Sequence, residues 1–203
     1  MHLAPFLLGK YEVTQAQWLH VMGDRPASYP ITPRHPIETV TWPRAREFGA
    51  RIGVMLPTEA QWEYACRAGS TAAYFWGDEV SRAADHANLL DQSAQREDAL
   101  PWDDGAAATA AVGSYLPNAF GLFDMQGNVH EWCRDLYVKD RLDIVTPGDA
   151  LAMRIGSMRN RVFRGASWYN GLDRARSSYR DHTSPRTLNQ VLGLRVVRSW
   201  PVR

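Results

Sequence analysis

Regular helical patterning fills the first third of the chain and stops before Tyr74, and that break constrains the fold more than any other feature. Thr14 and Gln17 form a capping box, in which the hydroxyl accepts a backbone N–H three residues on and the amide reaches back. The helix they open carries Trp18, Leu19 and Met22 and stops at Gly23, where a left-handed residue closes it. A proline-rich loop, Pro26 to Pro36, follows. Thr41 caps a second helix, with Pro43 in the first turn where a missing N–H costs nothing, and that helix ends near Gly53. Thr58 and Gln61 make another box after Pro57 and open a third helix that closes at Gly69. In it Trp62, Ala65 and Cys66 share one face by i, i+3, i+4 spacing.

From Tyr74 onward short apolar groups alternate with turns: Tyr74-Phe75-Trp76, Ala111-Val112, Phe120-Gly121-Leu122-Phe123, Arg161 to Phe163, and Leu194 to Val197. Connections near 82–110 and 138–160 have no strong period. Loops that long inside a compact unit are functional or are held by something. Helices first, then short strands among long loops, predict an α+β fold. At 203 residues one domain is expected, and such a chain buries roughly 70% of its unfolded surface without staples.

A net charge of +1 supplies no field to gather nucleic acid or acidic membranes, so neither is an expected partner. Two cysteines, Cys66 and Cys133, are too few for a disulfide framework and read as separate thiols of a reducing compartment. No stretch approaches the roughly 18 apolar residues of a membrane span, and Met1 to Lys10 lacks the pattern of a secretion signal. The expected location is cytoplasmic. Eight tryptophans and eight tyrosines supply core and also suit a recognition surface.

Four stretches, in order, resemble the formylglycine-generating (sulfatase-modifying factor) family: Gly9-Lys-Tyr-Glu-Val-Thr-Gln-Ala-Gln-Trp18, Leu56-Pro-Thr-Glu-Ala-Gln-Trp-Glu-Tyr-Ala65, Asn118-Ala-Phe-Gly-Leu-Phe-Asp-Met-Gln-Gly-Asn-Val-His-Glu-Trp132 and Arg164-Gly-Ala-Ser-Trp168. The closing Gly193-Leu-Arg-Val-Val197 matches as well. The resemblance implies a C-type-lectin-like fold with little regular structure, in which the first and last strands pair; Phe6-Leu7-Leu8 and Leu194 to Val197 are the candidates. It also implies a further segment upstream of residue 1.

The enzymes of that family hold copper with two cysteine thiolates, the ligands a soft monovalent ion prefers. Alignment on Arg164 to Trp168 puts Asn170 and Ala175 at those positions. The six histidines are scattered, with no i, i+3 or i, i+4 pair to build an iron site. His130 and Cys133, in and after a tight turn, read as packing residues. No catalytic residue and no catalytic cofactor are expected. The alternative is a sulfatase-maturation-type oxidase with altered ligands, or a regulatory domain of a larger protein.

The resemblance further implies structural calcium at two places. Asp124 and Glu131 bracket Gly127 and Val129, so two carboxylates and two carbonyls surround one hard cation. Asn88 and Leu89, with Asp104 and Ala106, form the second.

Residues 169–190 have neither period and mix Tyr, Asn, Asp, His, Ser, Thr and Arg, the composition of a paratope. Framed by Arg164-Gly165 and Gly193-Leu194-Arg195, the segment resembles that of the variable proteins of diversity-generating retroelements. Carried over, the ligand-binding positions are Tyr169, Asn170, Leu172, Asp173, Tyr179, Asp181, His182, Thr183, Leu188, Asn189 and Gln190. Arg176, Arg180 and Arg195 read as scaffold. The expected partner is a protein or other macromolecule.

Overall fold

In the computed structural model of the chain, residues 3–29, 32–139 and 159–200 are described; of the connection expected at 138–160, residues 140–158 lie outside them. Three helices form where their caps put them: α1 (Gln15–Met22), α2 (Trp42–Arg51) and α3 (Glu59–Arg67). Both capping boxes close. Gln17 N donates to Thr14 Oγ1 at 3.2 Å while Thr14 N donates to Gln17 Oε1 at 2.9 Å, and Thr58 and Gln61 repeat the pair at the same distances. Two single-turn helices follow, α4 (Ala83–His86) and α5 (Leu172–Ala175).

Strand β1 (Phe6–Leu8) runs antiparallel to β6 (Val197–Ser199), Leu8 facing Val197. The expected pairing of the first and last strands is therefore present, set a little later than Leu194 to Val197. Gly9 N to Val196 O at 2.8 Å and Val13 N to Leu194 O at 2.9 Å continue it inward. A second sheet takes the order β4-β3-β2-β5: β2 (His130–Leu136), β3 (Arg161–Arg164), β4 (Asp181–Thr183) and β5 (Leu192–Gly193). Its β2–β5 pair is parallel and the others antiparallel.

His130 corrects the sequence reading, which put it in a tight turn. It opens the central strand β2, and the turn is taken two residues earlier by Asn128 in the left-handed region (φ 61°). Nearly all of β2 is buried although its sequence is polar, because each buried polar group finds a partner: Glu131 on Arg195, and Asp135 on the Glu59 N–H at 2.7 Å. Of the other apolar groups, Tyr74-Phe75-Trp76, Ala111-Val112 and Phe120 to Phe123 form no strand. They work as loop anchors; Tyr74 and Trp76 stack at 4.9 Å.

Six of the eight tryptophans are buried, so this stock is core rather than recognition surface. Their indoles also brace the fold. Trp42 Nε1 donates to Cys133 O and Trp132 Nε1 to Val40 O, both at 2.9 Å, tying α2 and its approach to the central strand. Among the described residues no helix is long and apolar enough to cross a membrane.

Candidate functional site

Glu131 lies in the middle of β2 with both oxygens committed. Arg195 reaches it at 2.8 Å and Trp62 Nε1 donates at 2.7 Å. The same guanidinium donates to Gly9 O and Phe123 O. Two further buried carboxylates face it. Glu12 accepts from Asn128 Nδ2 at 2.7 Å and Val129 N at 3.0 Å, and Asp124 accepts from Gly113 N at 2.7 Å. Three acids therefore share one arginine. Burial and the neighbouring acids push the Glu12 carboxyl well above its usual range, and burial pushes Asp124 up to about 6. Asp124 Oδ1 is buried with no partner in the described structure. The first calcium place is thus brought together around an arginine that already holds one of its carboxylates.

The second place abuts the first. Asn88 O accepts from Asn128 N at 2.8 Å, and Asn88 Nδ2 donates to Asn128 Oδ1 at 3.2 Å and to Ala108 O at 2.9 Å. Asn88 Oδ1 is buried without a described partner. Asp104 accepts from Ala106 N at 2.8 Å and the Tyr115 hydroxyl at 2.7 Å, while its own N–H donates to Asp91 at 2.6 Å. Burial raises the Asp104 carboxyl. Leu89 is fully buried. Among the described residues no cluster of three His, Cys, Asp or Glu side chains is arranged to grip a metal by side chains alone. A cation at either place would lean on carbonyls and amide oxygens, as calcium does.

Both places support the C-terminal segment. Trp168 N donates to Asn128 O, and Leu90 N donates to Asn170 O, each at 3.0 Å. Above them Tyr169, Asn170, Asp173 and Asn189 line a cavity of about 530 Å³ with Leu90, Asp98, His130, Phe163 and Arg174. The other predicted positions spread outward from it. Tyr179 donates to Asp181 at 2.9 Å, and Arg174 pairs with Asp181 at 3.3 Å. His182 stacks on Tyr137 at 3.6 Å. The Thr183 and Thr187 hydroxyls meet at 2.9 Å. Leu188 is 62% exposed, and Gln190 is exposed beside it. Leu172 instead packs against the Tyr74–Trp76 cluster, with its carbonyl held by the Tyr74 hydroxyl. Of the expected scaffold arginines, Arg180 grips buried Glu59 at 2.8 Å beside Arg164, and Arg195 behaves as described; Arg176 is exposed.

Asn170 and Ala175 do not fit a copper ion. Asn170 Oδ1 is occupied by Ser167, which donates from N at 3.1 Å and from Oγ at 2.7 Å, and Ala175 offers only a buried methyl. The two thiols stand elsewhere, buried in one apolar cluster. Burial pushes Cys66 up to about 12 and Cys133 well above the ordinary thiol range, as for thiols packed in a core.

Three contributors escaped sequence reading. Glu12 gave one signal, an acid inside the first matched stretch. His130 lines the cavity because β2 begins there. Arg96 reaches Tyr169 across more than seventy residues, which no local pattern announces.

The sulfatase-modifying factor enzyme 1-like domain family matches residues 1–200. The chain is 34% identical over 196 residues to a formylglycine-generating enzyme of Streptomyces coelicolor, covering 88% of this chain and 59% of that one. It is 34% identical over 167 residues to the serine/threonine-protein kinase pkn1 of Chlamydia pneumoniae, covering 82% of this chain and 24% of the kinase, so it spans about a quarter of that relative. Variable protein 1 of Treponema denticola has the same fold, with a TM-score of 0.82 at 22% identity, over 98% of this chain and 86% of that one.

Proposed function

The chain belongs to the sulfatase-modifying factor enzyme 1-like family, and on that premise we propose that it is a non-catalytic member that binds a protein or other macromolecule through residues 169–190. One observation carries the reading. The positions of the enzymes' metal-binding cysteines hold an amide fixed by Ser167 and a buried methyl, while Tyr169, Asn170, Asp173 and Asn189 surround a cavity at the surface. Tyr169, 47% exposed, and Tyr179 are the aromatic anchors: each brings a large face and has two torsions to freeze. Asp181, His182 and Asn189 orient the ligand. Replacing Tyr169, Tyr179 and Asp181 together by alanine is expected to weaken a selected protein ligand by about a hundredfold or more, with the melting temperature nearly unchanged. Unaltered affinity in surface plasmon resonance would overturn the reading.

The lectin-like scaffold it shares with a protein named as variable supports use of the segment as a diversified surface. The expected genomic finding is a nearby near-copy of the coding DNA that differs only at adenines; its absence removes this subclass.

Structural calcium belongs to the same reading. Glu12, Asp124 and Glu131 against one arginine leave excess negative charge, which protons or a divalent cation can offset. Asp124 is raised when folded, so without a cation its contribution is present at low pH. It is lost as pH climbs from about 4 to about 6, on the order of 3 kcal/mol. At neutral pH, calcium at a hundred times its Kd is expected to raise Tm by about 5–10 °C over chelator. Asp124→Asn is expected to abolish both effects, as read by scanning calorimetry; a calcium response in that variant equal to the parent's would overturn the first place.

A further inference from the structure

The exposed surface repeats one arrangement. Arg96 lies over the Tyr169 ring, 4.5 Å from its centroid, and grips Asp98 with two bonds of 2.9 and 2.8 Å. Arg174 lies over Tyr179 at 5.6 Å and reaches Asp181 at 3.3 Å. In both, an aromatic face and a carboxylate hold a guanidinium between them, the ring through its negative face and the acid through charge, with two acceptor oxygens at Asp98 and one at Asp181. Asp173 lies beside both and on the cavity wall. It is exposed, and among the described residues no ion pair reaches it. Asp98 and Arg174, which line the same cavity, each have a partner of opposite charge. Asp173 is therefore the one carboxylate of the arrangement left without its cation.

The cavity behind it suits a long side chain. Leu90, Phe163 and Val191 give apolar wall, and Tyr169 gives an aromatic edge. His130 adds no opposing charge. Its Nδ1 meets Gly165 O at 2.6 Å, and burial pushes the ring down to about 4, so it stays neutral. An acidic side chain would meet Asp173, the carboxylate there without a cation of its own, and be repelled.

Resting on the binding reading above, we propose that this cavity receives an arginine side chain of the protein ligand, its stem along Phe163 and Val191 and its guanidinium on Asp173.

The test is a phage-displayed library of random peptides panned on the whole chain. Binders are then remeasured on Asp173→Asn and on the Tyr169, Tyr179, Asp181 triple alanine variant. Arginine is expected to be enriched at one position. Asp173→Asn is expected to weaken those peptides by roughly tenfold or more. Changing that arginine to norleucine is expected to cost little further in the Asn variant, since the two changes remove one contact. Binders that need the tyrosines but show no arginine enrichment and ignore Asp173→Asn overturn this proposal and leave the binding reading standing. Equal enrichment of lysine overturns the guanidinium assignment. Binders indifferent to the triple variant, or no binders, overturn both readings.

Discussion

Arg195→Met is expected to lower the unfolding free energy by about 3–5 kcal/mol at neutral pH. Arg195 is fully buried and is the cation facing Glu131, Glu12 and Asp124. It also caps two carbonyls, Gly9 O and Phe123 O, which tie the β1 end of the chain to the loop before β2. Methionine fills similar space but leaves three acids facing one another in low dielectric and two carbonyls without a donor. The chain then answers by protonating the acids, so the gap between variant and parent narrows as pH falls toward 5. Arg195→Lys is expected to recover only part of the loss, because a point charge cannot serve Glu131 and two carbonyls in one plane. Urea titrations at pH 7 and pH 5 measure this. A loss below about 1 kcal/mol at pH 7, or a gap that widens in acid, would show that the arginine does not hold this centre.

Gly127→Ala is expected to cost about 2–5 kcal/mol by the same titration, the sum of a backbone strain and an overpacking cost. Gly127 sits at φ 126°, which L side chains rarely adopt, and an added Cβ would lie 2.6 Å from Asn88 O and 2.9 Å from Asn88 N. That contact is backbone on backbone, so nothing flexible can yield. Gly121→Ala is the control. Its φ of 74° is also left-handed, but no atom lies within 4 Å of the added carbon, and about 1 kcal/mol is expected. Equal losses in the two variants would mean the close approach to Asn88 contributes nothing.

The helices were legible because their signals are local. Thr14 and Thr58 each meet a glutamine three residues on, and the structure uses both boxes. The pairing of the two chain ends came from family order rather than from pattern, since three-residue strands carry too few side chains to show a period. Strand β2 stayed hidden for a physical reason. A buried strand normally reads as an apolar run, and His-Glu-Trp-Cys-Arg-Asp-Leu does not, because its acids find their hydrogen-bond partners far away in sequence, Glu131 on Arg195 and Asp135 on the Glu59 N–H. Residues 169–190 were singled out by composition, and of them Tyr169, Asp173 and Asn189 meet at one cavity. Leu172 was included on position alone, and packing turns it toward Tyr74 and Trp76 instead. The partners of Tyr169 were out of reach, because Arg96 approaches through a loop with no pattern of its own.

Antiparallel pairing of β1 with β6 puts Phe6 across from Ser199. A host polypeptide could therefore enter and leave the domain at a single seam, and the insert would behave as a side-branch that interrupts its surroundings by little more than one inter-strand spacing, about 5 Å. Joining Pro5 to Trp200, whose backbones already meet at 3.0 Å, by a short glycine-serine bridge should need no rearrangement of residues 169–190, which makes ring closure a practical route to a hardier scaffold.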